Sequence, residues 1–250
     1  MKDTLQGFVV AFSMYSKLPM PRITWTKKNM KYCMCFFPLI GLVIGGLMYG
    51  WFRLALWAGF GGNFRTAVLI LIPVAVTGGI HLDGLLDTAD ALSSYKSQEE
   101  KLEILKDSHA GAFAIIIGIT YFVLAFGVYS EMTEERLRVL VFSFMLSRAF
   151  SGLGMVSLKK ARNSGLLYTF ADAAANRKVG IVMGAYILVT TGILLWMDLL
   201  RGAVIAGLAL LAFLWYRHMS YSKFGGITGD LAGCFLQTAE LLMALGVIMI

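Results

Sequence analysis

Residues 66–90 read TAVLILIPVAVTGGIHLDGLLDTAD. The first fifteen, Thr66–Ile80, carry no charge, and the next ten hold His81 and three aspartates, Asp83, Asp87 and Asp90. Uncharged apolar runs of this kind belong in hydrocarbon, which is roughly 30 Å thick and takes about 20 helical residues to cross. This run is short, and Pro73, Gly78 and Gly79 imply that it tilts or unwinds near its end. The aspartates then stand where the chain leaves the apolar layer.

The rest of the chain follows the same plan. Only 15% of its 250 residues are charged and 58% are hydrophobic, too few charges for the surface of a water-soluble domain. Further spans are expected at about 32–52, 110–130, 137–158, 179–197 and 202–216, with a last one over 225–250 interrupted by Asp230 and Glu240. The stretch 8–18 is too short to cross and ends in Lys17, Pro19 and Pro21. The expected fold is all-α: a polytopic transmembrane helical bundle of about seven spans plus a short N-terminal re-entrant or interfacial helix. Residues 1–250 form one integral membrane catalytic domain, since neither a repeat nor a soluble linker is evident.

Charge gives the orientation. With the N-terminus inside, sixteen Lys and Arg fall in inside loops and five in outside loops (Arg53, Arg65, Arg136, Arg138 and Arg201), leaving Arg148 within a span. The positive-inside rule therefore predicts insertion in the cytoplasmic (inner) membrane, with the aspartate cluster and the segment GGITGD both facing the cytoplasm. The net charge of +7 is accounted for by these loops. No nucleic acid is expected as a partner, the lipid bilayer is, and a homo-oligomer stays open. Cys33, Cys35 and Cys234 lie in apolar segments at no zinc-like spacing and are expected to pack as small hydrophobes.

If helical, Asp83, Asp87 and Asp90 stand at i, i+4 and i+7, within an arc of about 60°. Close carboxylates repel one another unless a cation sits among them, and Mg²⁺ is the usual guest where phosphate is handled. The alternative is a solvated acidic first turn. His81 points away from that face in a continuous helix, so a catalytic or a supporting role is open to it. On the last span Asp230, Gly233, Gln237 and Glu240 form a polar stripe within about 80° of arc. Ionisable groups at such depth face a cavity or a partner, and Gly229 and Gly233 allow close helix approach. Arg148 either pairs with a carboxylate or meets a phosphate. Lys159, Lys160 and Arg162 either set topology or clamp a phosphate. These residue types suit Mg²⁺-assisted transfer of a phosphoryl-linked group at the membrane edge.

Three segments, HLDGLLDTADAL (81–92), KLEILKDSHAGAFA (101–114) and GGITGDLAGCFLQTAE (225–240), together resemble the cobalamin (5′-phosphate) synthase family, the adenosylcobinamide-GDP ribazoletransferases. Its H-x-D-G-x-x-D-x-A-D core falls on His81, Asp83, Gly84, Asp87 and Asp90. Its K-D-S-x-x-G falls on Lys106, Asp107, Ser108 and Gly111, and its G-G-x-T-G-D on Gly225, Gly226, Thr228, Gly229 and Asp230. The Ser147–Arg148 pair and Ala161–Gly165 are similar in type and order, so the likeness covers nearly the whole chain. The resemblance implies joining of adenosylcobinamide-GDP to α-ribazole or its 5′-phosphate, with release of GMP and a requirement for Mg²⁺. Asp83, Asp87 and His81 are then the catalytic candidates. Asp83, Asp87, Asp90 and Asp230 are the metal ligands, and Lys106, Asp107, Ser108, Arg148, Arg162 and Thr228 hold substrate. His109 stands where the family often has arginine. A CDP-alcohol phosphotransferase would share the aspartates but needs Ala-Arg where Leu86 and Asp87 stand. An ion-coupled transporter would use Arg148, Asp230 and Glu240 as a path.

Overall fold

The computed structural model describes residues 2–107 and 109–250, and its regular elements are helices apart from one isolated bridge. Helix α1 (Lys2–Tyr15) precedes an extended segment and the single turn α2 (Lys27–Met30). Then come α3 (Phe37–Trp57), α4 (Gly62–Thr77), α5 (Ile80–Ser93) and the short α6 (Gln98–Ile104). Helices α7 (Ala112–Ser130), α8 (Glu134–Leu140), α9 (Ser143–Ser157) and α10 (Leu166–Ala173) follow, and α11 (Asn176–Met197), α12 (Leu199–Phe224) and α13 (Gly229–Ile248) complete the chain.

Six stretches among the described residues are long and apolar enough to cross a membrane: 33–57, 112–130, 134–157, 176–197, 199–224 and 229–248. A seventh, α4 with α5, qualifies only as a pair bent by 94°. The protein is thus a polytopic helical membrane protein of six or seven spans. Leucines and isoleucines on α7, α11 and α12 point outward and meet lipid rather than a core, among them Ile119, Leu188 and Leu211. Helices α9 and α13 are the most enclosed and form the centre of the bundle.

Several elements differ from the expected boundaries, among them α3, which runs on to Trp57 where residue 52 is expected to end the span. The N-terminal helix begins at Lys2 and stops at Tyr15, before Lys17, and Ser16 just beyond it donates its hydroxyl to the Phe12 carbonyl (2.6 Å). Helix α12 runs on past Tyr216 to Phe224, where Gly225 at φ +72° caps it.

The bend between α4 and α5 has a local cause. Gly78 and Gly79 both adopt positive φ (+66° and +80°), a conformation that strains any residue with a Cβ. Gly78 also packs against the alkyl chain of Lys17, where a Cβ has no room. The two glycines end one helix and start the next at nearly a right angle. This turns the aspartate-bearing helix across the bundle and onto α13.

Candidate active site

Helix α5 is continuous from Ile80 to Ser93, so Asp83, Asp87 and Asp90 share one side of it. Its partner is α13, and the two backbones touch. A Cβ on Gly84 would lie 2.6 Å from the carbonyl oxygen of Asp230, and one on Gly233 would lie 2.9 Å from that of His81. The close approach therefore rests on Gly84 and Gly233, whereas a Cβ on Gly229 would meet only Leu167, at 3.9 Å. Two small residues facing each other let the acidic cluster of α5 and the start of α13 share one space.

The GGITGD turn is built for the same purpose. Gly225 caps α12, and Gly226 has no room for a Cβ because the 159–161 backbone lies 2.6 Å away. That contact is a short parallel bridge: Ile227 donates to the Lys159 carbonyl (2.8 Å) and Ala161 donates to that of Ile227 (3.0 Å). Thr228 then caps α13, accepting from the Leu231 N–H at 3.3 Å, and also lies 3.3 Å from the Asp230 carboxylate. The bridge brings Arg162 beside Asp230, Nη2 to Oδ2 3.6 Å, with both side chains only partly exposed. Arg162 also donates to the Leu102 carbonyl at 3.4 Å. Partial burial on the bridge holds the Lys160 ammonium below its ordinary pKa.

A cavity of 480 Å³ opens here. Asp83, Asp230, Arg162 and Thr228 line it, with His81 in its wall. Asp87 lies on the next turn, within the field of Asp83, Asp90 and Asp230. The His81 ring is buried between Tyr15 (centroids 6.4 Å, stacked) and Phe37 (5.9 Å, edge-on). Its Nε2 has no hydrogen-bond partner among the described residues. Tyr15, Met34, Phe37, Met155 and Tyr168 also line the cavity. None of them stood out in the sequence, because aromatic and methionine residues in so apolar a chain carry no separate signal.

The other candidates lie elsewhere. Both Asp90 carboxylate oxygens are engaged at the start of α7, accepting from Gly111 N–H (2.6 Å) and Ala114 N–H (2.9 Å). A carboxylate at a helix N-terminus meets unpaired donors and the positive end of the dipole. A Cβ on Gly111 would strike this carboxylate at 2.7 Å, which explains the glycine. Lys106 is exposed and paired with Glu103 (2.6 Å). Asp107 accepts from the backbone and ring of His109 (3.0 and 2.7 Å), and these bonds hold its carboxyl below the usual range. Neither Lys106 nor Asp107 lines the cavity. Ser108 lies outside the described residues.

Arg148 takes the first of its two alternatives. It is 1% exposed, bonded to Glu240 at 2.7 Å and to the Phe144 carbonyl at 2.9 Å, with Ser147 also donating to Glu240 at 2.8 Å. Its guanidinium is committed inside the bundle and is not offered to a phosphate in the cavity. The cysteines are free, Cys33 and Cys234 buried and Cys35 partly so.

Among the described residues, no group of three or more His, Cys, Asp and Glu side chains is placed to hold a metal ion by itself. Mg²⁺ asks for less. It binds through one or two carboxylates, keeps several waters, and takes its other ligands from substrate phosphates. Asp83 and Asp230, opening into one cavity with Asp87 close by, are a donor set of that kind.

The family model for cobalamin-5-phosphate synthase matches residues 7–248. The chain belongs to the cobalamin-5-phosphate synthase family. It is 46% identical to the adenosylcobinamide-GDP ribazoletransferase of Lachnoclostridium phytofermentans, over 98% of this chain and 94% of that protein. Proteins of the same name from Desulfitobacterium hafniense (32% identical, 95% of this chain and 94% of the relative) and Clostridium botulinum (31%, 96% of each) are also similar along their length. No solved structure matches this chain.

Proposed function

We propose that this protein transfers the phosphocobinamide group of adenosylcobinamide-GDP to a ribose hydroxyl of α-ribazole or α-ribazole 5′-phosphate. The products are adenosylcobalamin, or its 5′-phosphate, and GMP. One observation carries the reading in the structure: two motifs about 150 residues apart in sequence deliver Asp83 and Asp230 into a single cavity, with Arg162 beside them. The acidic segment binds at the α5–α13 crossing rather than standing as a solvated cap, which favours transfer chemistry over the bland alternative. The full-length family match favours this donor and acceptor over a CDP-alcohol.

In the reaction the ribose hydroxyl oxygen attacks the phosphorus that bears cobinamide. The bond from that phosphorus to the bridging oxygen breaks, and GMP leaves with the electron pair. Mg²⁺, when bound, neutralises the diphosphate and supports the charge that develops on the leaving phosphate. Asp83 and Asp87 would hold that ion, with Asp230 adding its charge from across the cavity. Asp83, exposed in the cavity, also accepts the hydroxyl proton at a carboxylate oxygen. Arg162 faces the negative charge of the diphosphate, and Thr228 fixes the position of Asp230. Lys106 and Asp107, which do not line the cavity, take no part in this proposal.

The test is direct. Purified protein supplied with adenosylcobinamide-GDP, α-ribazole and Mg²⁺ should form adenosylcobalamin and GMP in equal amounts. EDTA should abolish turnover and excess Mg²⁺ should restore it. Product formed at full rate in excess chelator would refute the metal role. Transfer to a lipid alcohol with none to α-ribazole would favour the CDP-alcohol alternative.

The cavity end is further proposed to face the cytoplasm from the inner membrane, because the inside-loop cations outnumber the outside ones sixteen to five. Lys96→Cys and Glu131→Cys, in a background without native cysteines, should label from opposite sides of intact cells. Both positions are exposed. Labelling of both from one side would overturn the orientation.

A further inference from the structure

The cavity is not uniform. Along α13 its lining passes from Asp230 through Gly233 to Leu236, about 9 Å further along the helix axis at 1.5 Å per residue. The apolar part of the lining includes Tyr15, Met34, Phe37, Met155 and Leu236, with Tyr15 and Phe37 packed against the ring of His81. One end is charged and the other is apolar, aromatic and rich in methionine.

We propose that this apolar end is the pocket for the heterocyclic base of the ribazole, and that Met155 and Phe37 set which base is accepted. The inference rests on the function proposed above. Attack places the ribose of the acceptor against the phosphorus, beside Asp83 and Asp230, so its base extends one sugar away from the carboxylates. The guanosine of the leaving GMP also lies one phosphate and sugar from the same phosphorus, on the opposite side of an in-line displacement.

Polarity separates the two. Guanine carries an amide and an exocyclic amine, each of which needs a partner when buried, and an unmade hydrogen bond of that kind costs about 1–3 kcal/mol. Apart from Asp83, Arg162, Thr228 and Asp230 at the charged end, the polar side chains of the lining are the His81 ring and the hydroxyls of Tyr15, Ser151, Ser164 and Tyr168, with no carboxylate or amide among them. The dimethylbenzimidazole of α-ribazole is flat, carries two methyl groups, and has one ring nitrogen free to accept. It suits aromatic walls and polarisable methionine sulfur. The 480 Å³ of space falls within the range of small-ligand sites, and it suits a nucleoside better than a corrinoid. The corrinoid and guanosine parts of the donor therefore remain at the charged mouth.

The experiment compares bases. With adenosylcobinamide-GDP saturating and Mg²⁺ present, kcat/KM is measured for α-ribazole and for the riboside of unsubstituted benzimidazole. In Met155→Gln, which keeps length but adds an amide, kcat/KM for α-ribazole should fall about tenfold, and less for the unmethylated riboside, while KM for adenosylcobinamide-GDP moves less than about twofold. Met155→Leu should restore the preference. Free 5,6-dimethylbenzimidazole should inhibit the unmodified protein competitively against α-ribazole and not against adenosylcobinamide-GDP. That inhibition pattern decides the matter even if Met155→Gln fails to fold. An unchanged base preference with a raised KM for adenosylcobinamide-GDP, or competition by the free base against adenosylcobinamide-GDP alone, would assign the pocket to guanosine and overturn the inference. Absence of any ribazole transfer by the unmodified protein would instead remove the function on which it rests.

Discussion

Asp230 and Glu240 lie on one face of α13, ten residues apart, and both interrupt an otherwise apolar helix. In the structure they live under different rules. Glu240 is 4% exposed and accepts from Arg148 and Ser147 at 2.7 and 2.8 Å. Gln237, one turn nearer the cavity, accepts from the Tyr121 hydroxyl at 2.6 Å. Among the described residues, Asp230 is met by a looser arginine at 3.6 Å and the Thr228 hydroxyl at 3.3 Å, and it borders a cavity. A buried carboxylate held by two short bonds from a neighbouring helix is a fastener between helices. A carboxylate with spare acceptor capacity beside two others is available to a ligand. Position on the helix face does not distinguish them, but burial, partner distance and the bordering cavity do.

The comparison fails most visibly if the carboxylates in and beside the cavity can be neutralised without cost. Aspartate to asparagine keeps the shape and removes the charge. Asp83→Asn and Asp87→Asn should each slow ribazole transfer at least about a hundredfold, equivalent to about 2.7 kcal/mol in the transition state, while inserting and folding normally. Asp230→Asn should cost at least about tenfold, since Arg162 would then lack its counter-charge but Asp83 and Asp87 would remain. Initial rates per folded molecule, with circular dichroism as the folding check, measure both. Near-normal transfer in Asp83→Asn would refute the assignment of the ion to this cluster.

Glu240→Gln sharpens the other half. Removing one partner of a buried ion pair leaves the Arg148 guanidinium charged and uncompensated, at a cost of about 3–5 kcal/mol. The expected outcome is a lower thermal midpoint in detergent, with activity per folded molecule within about threefold of normal. Loss of activity at unchanged stability would move Glu240 from fastener to site.

Much of this was legible beforehand, and the reasons are physical. Long uncharged runs have one stable destination, so the spans of α7, α9, α11 and α13 could be placed to within a few residues and that of α3 to within about a turn and a half. The paired glycines at 78 and 79 announced the end of α4, and the i, i+4, i+7 aspartates announced a helical face. What stayed hidden depends on contacts between distant segments. Asp90 looks like its neighbours until α7 arrives to be capped by it. Gly84 looks like a helix weakness until α13 lies against it. Arg148 allowed two partners of opposite meaning, and only the approach of α13 to α9 selected Glu240. Tyr15, Phe37 and Met155 come from three separate helices or their ends. In a chain that is 58% hydrophobic, no pattern marks them as cavity walls rather than lipid contacts.

The smallest effect belongs to an acidic residue that shares the loop region but not the cavity. Glu99 sits in the first turn of α6, where Ser97 and Glu100 already form the reciprocal cap, the serine hydroxyl accepting from the Glu100 N–H at 3.3 Å. Its side chain is exposed. A charge there interacts only with the helix dipole, worth about 0.3–1 kcal/mol and screened by salt. Glu99→Gln should therefore lower stability by no more than about 1 kcal/mol and leave ribazole transfer within about twofold of normal. The contrast with Asp83→Asn is the informative part, since both changes remove one unit of negative charge from residues 81–109. If only the summed charge of that segment mattered, by drawing Mg²⁺ or basic groups to the membrane edge, the two variants would lose activity alike. If the cavity geometry governs, they differ by at least about fiftyfold, a gap of about 2.3 kcal/mol in the barrier. Equal losses would dissolve the distinction between an acidic surface and an acidic site on which the assignment of Asp83, Asp87 and Asp230 depends.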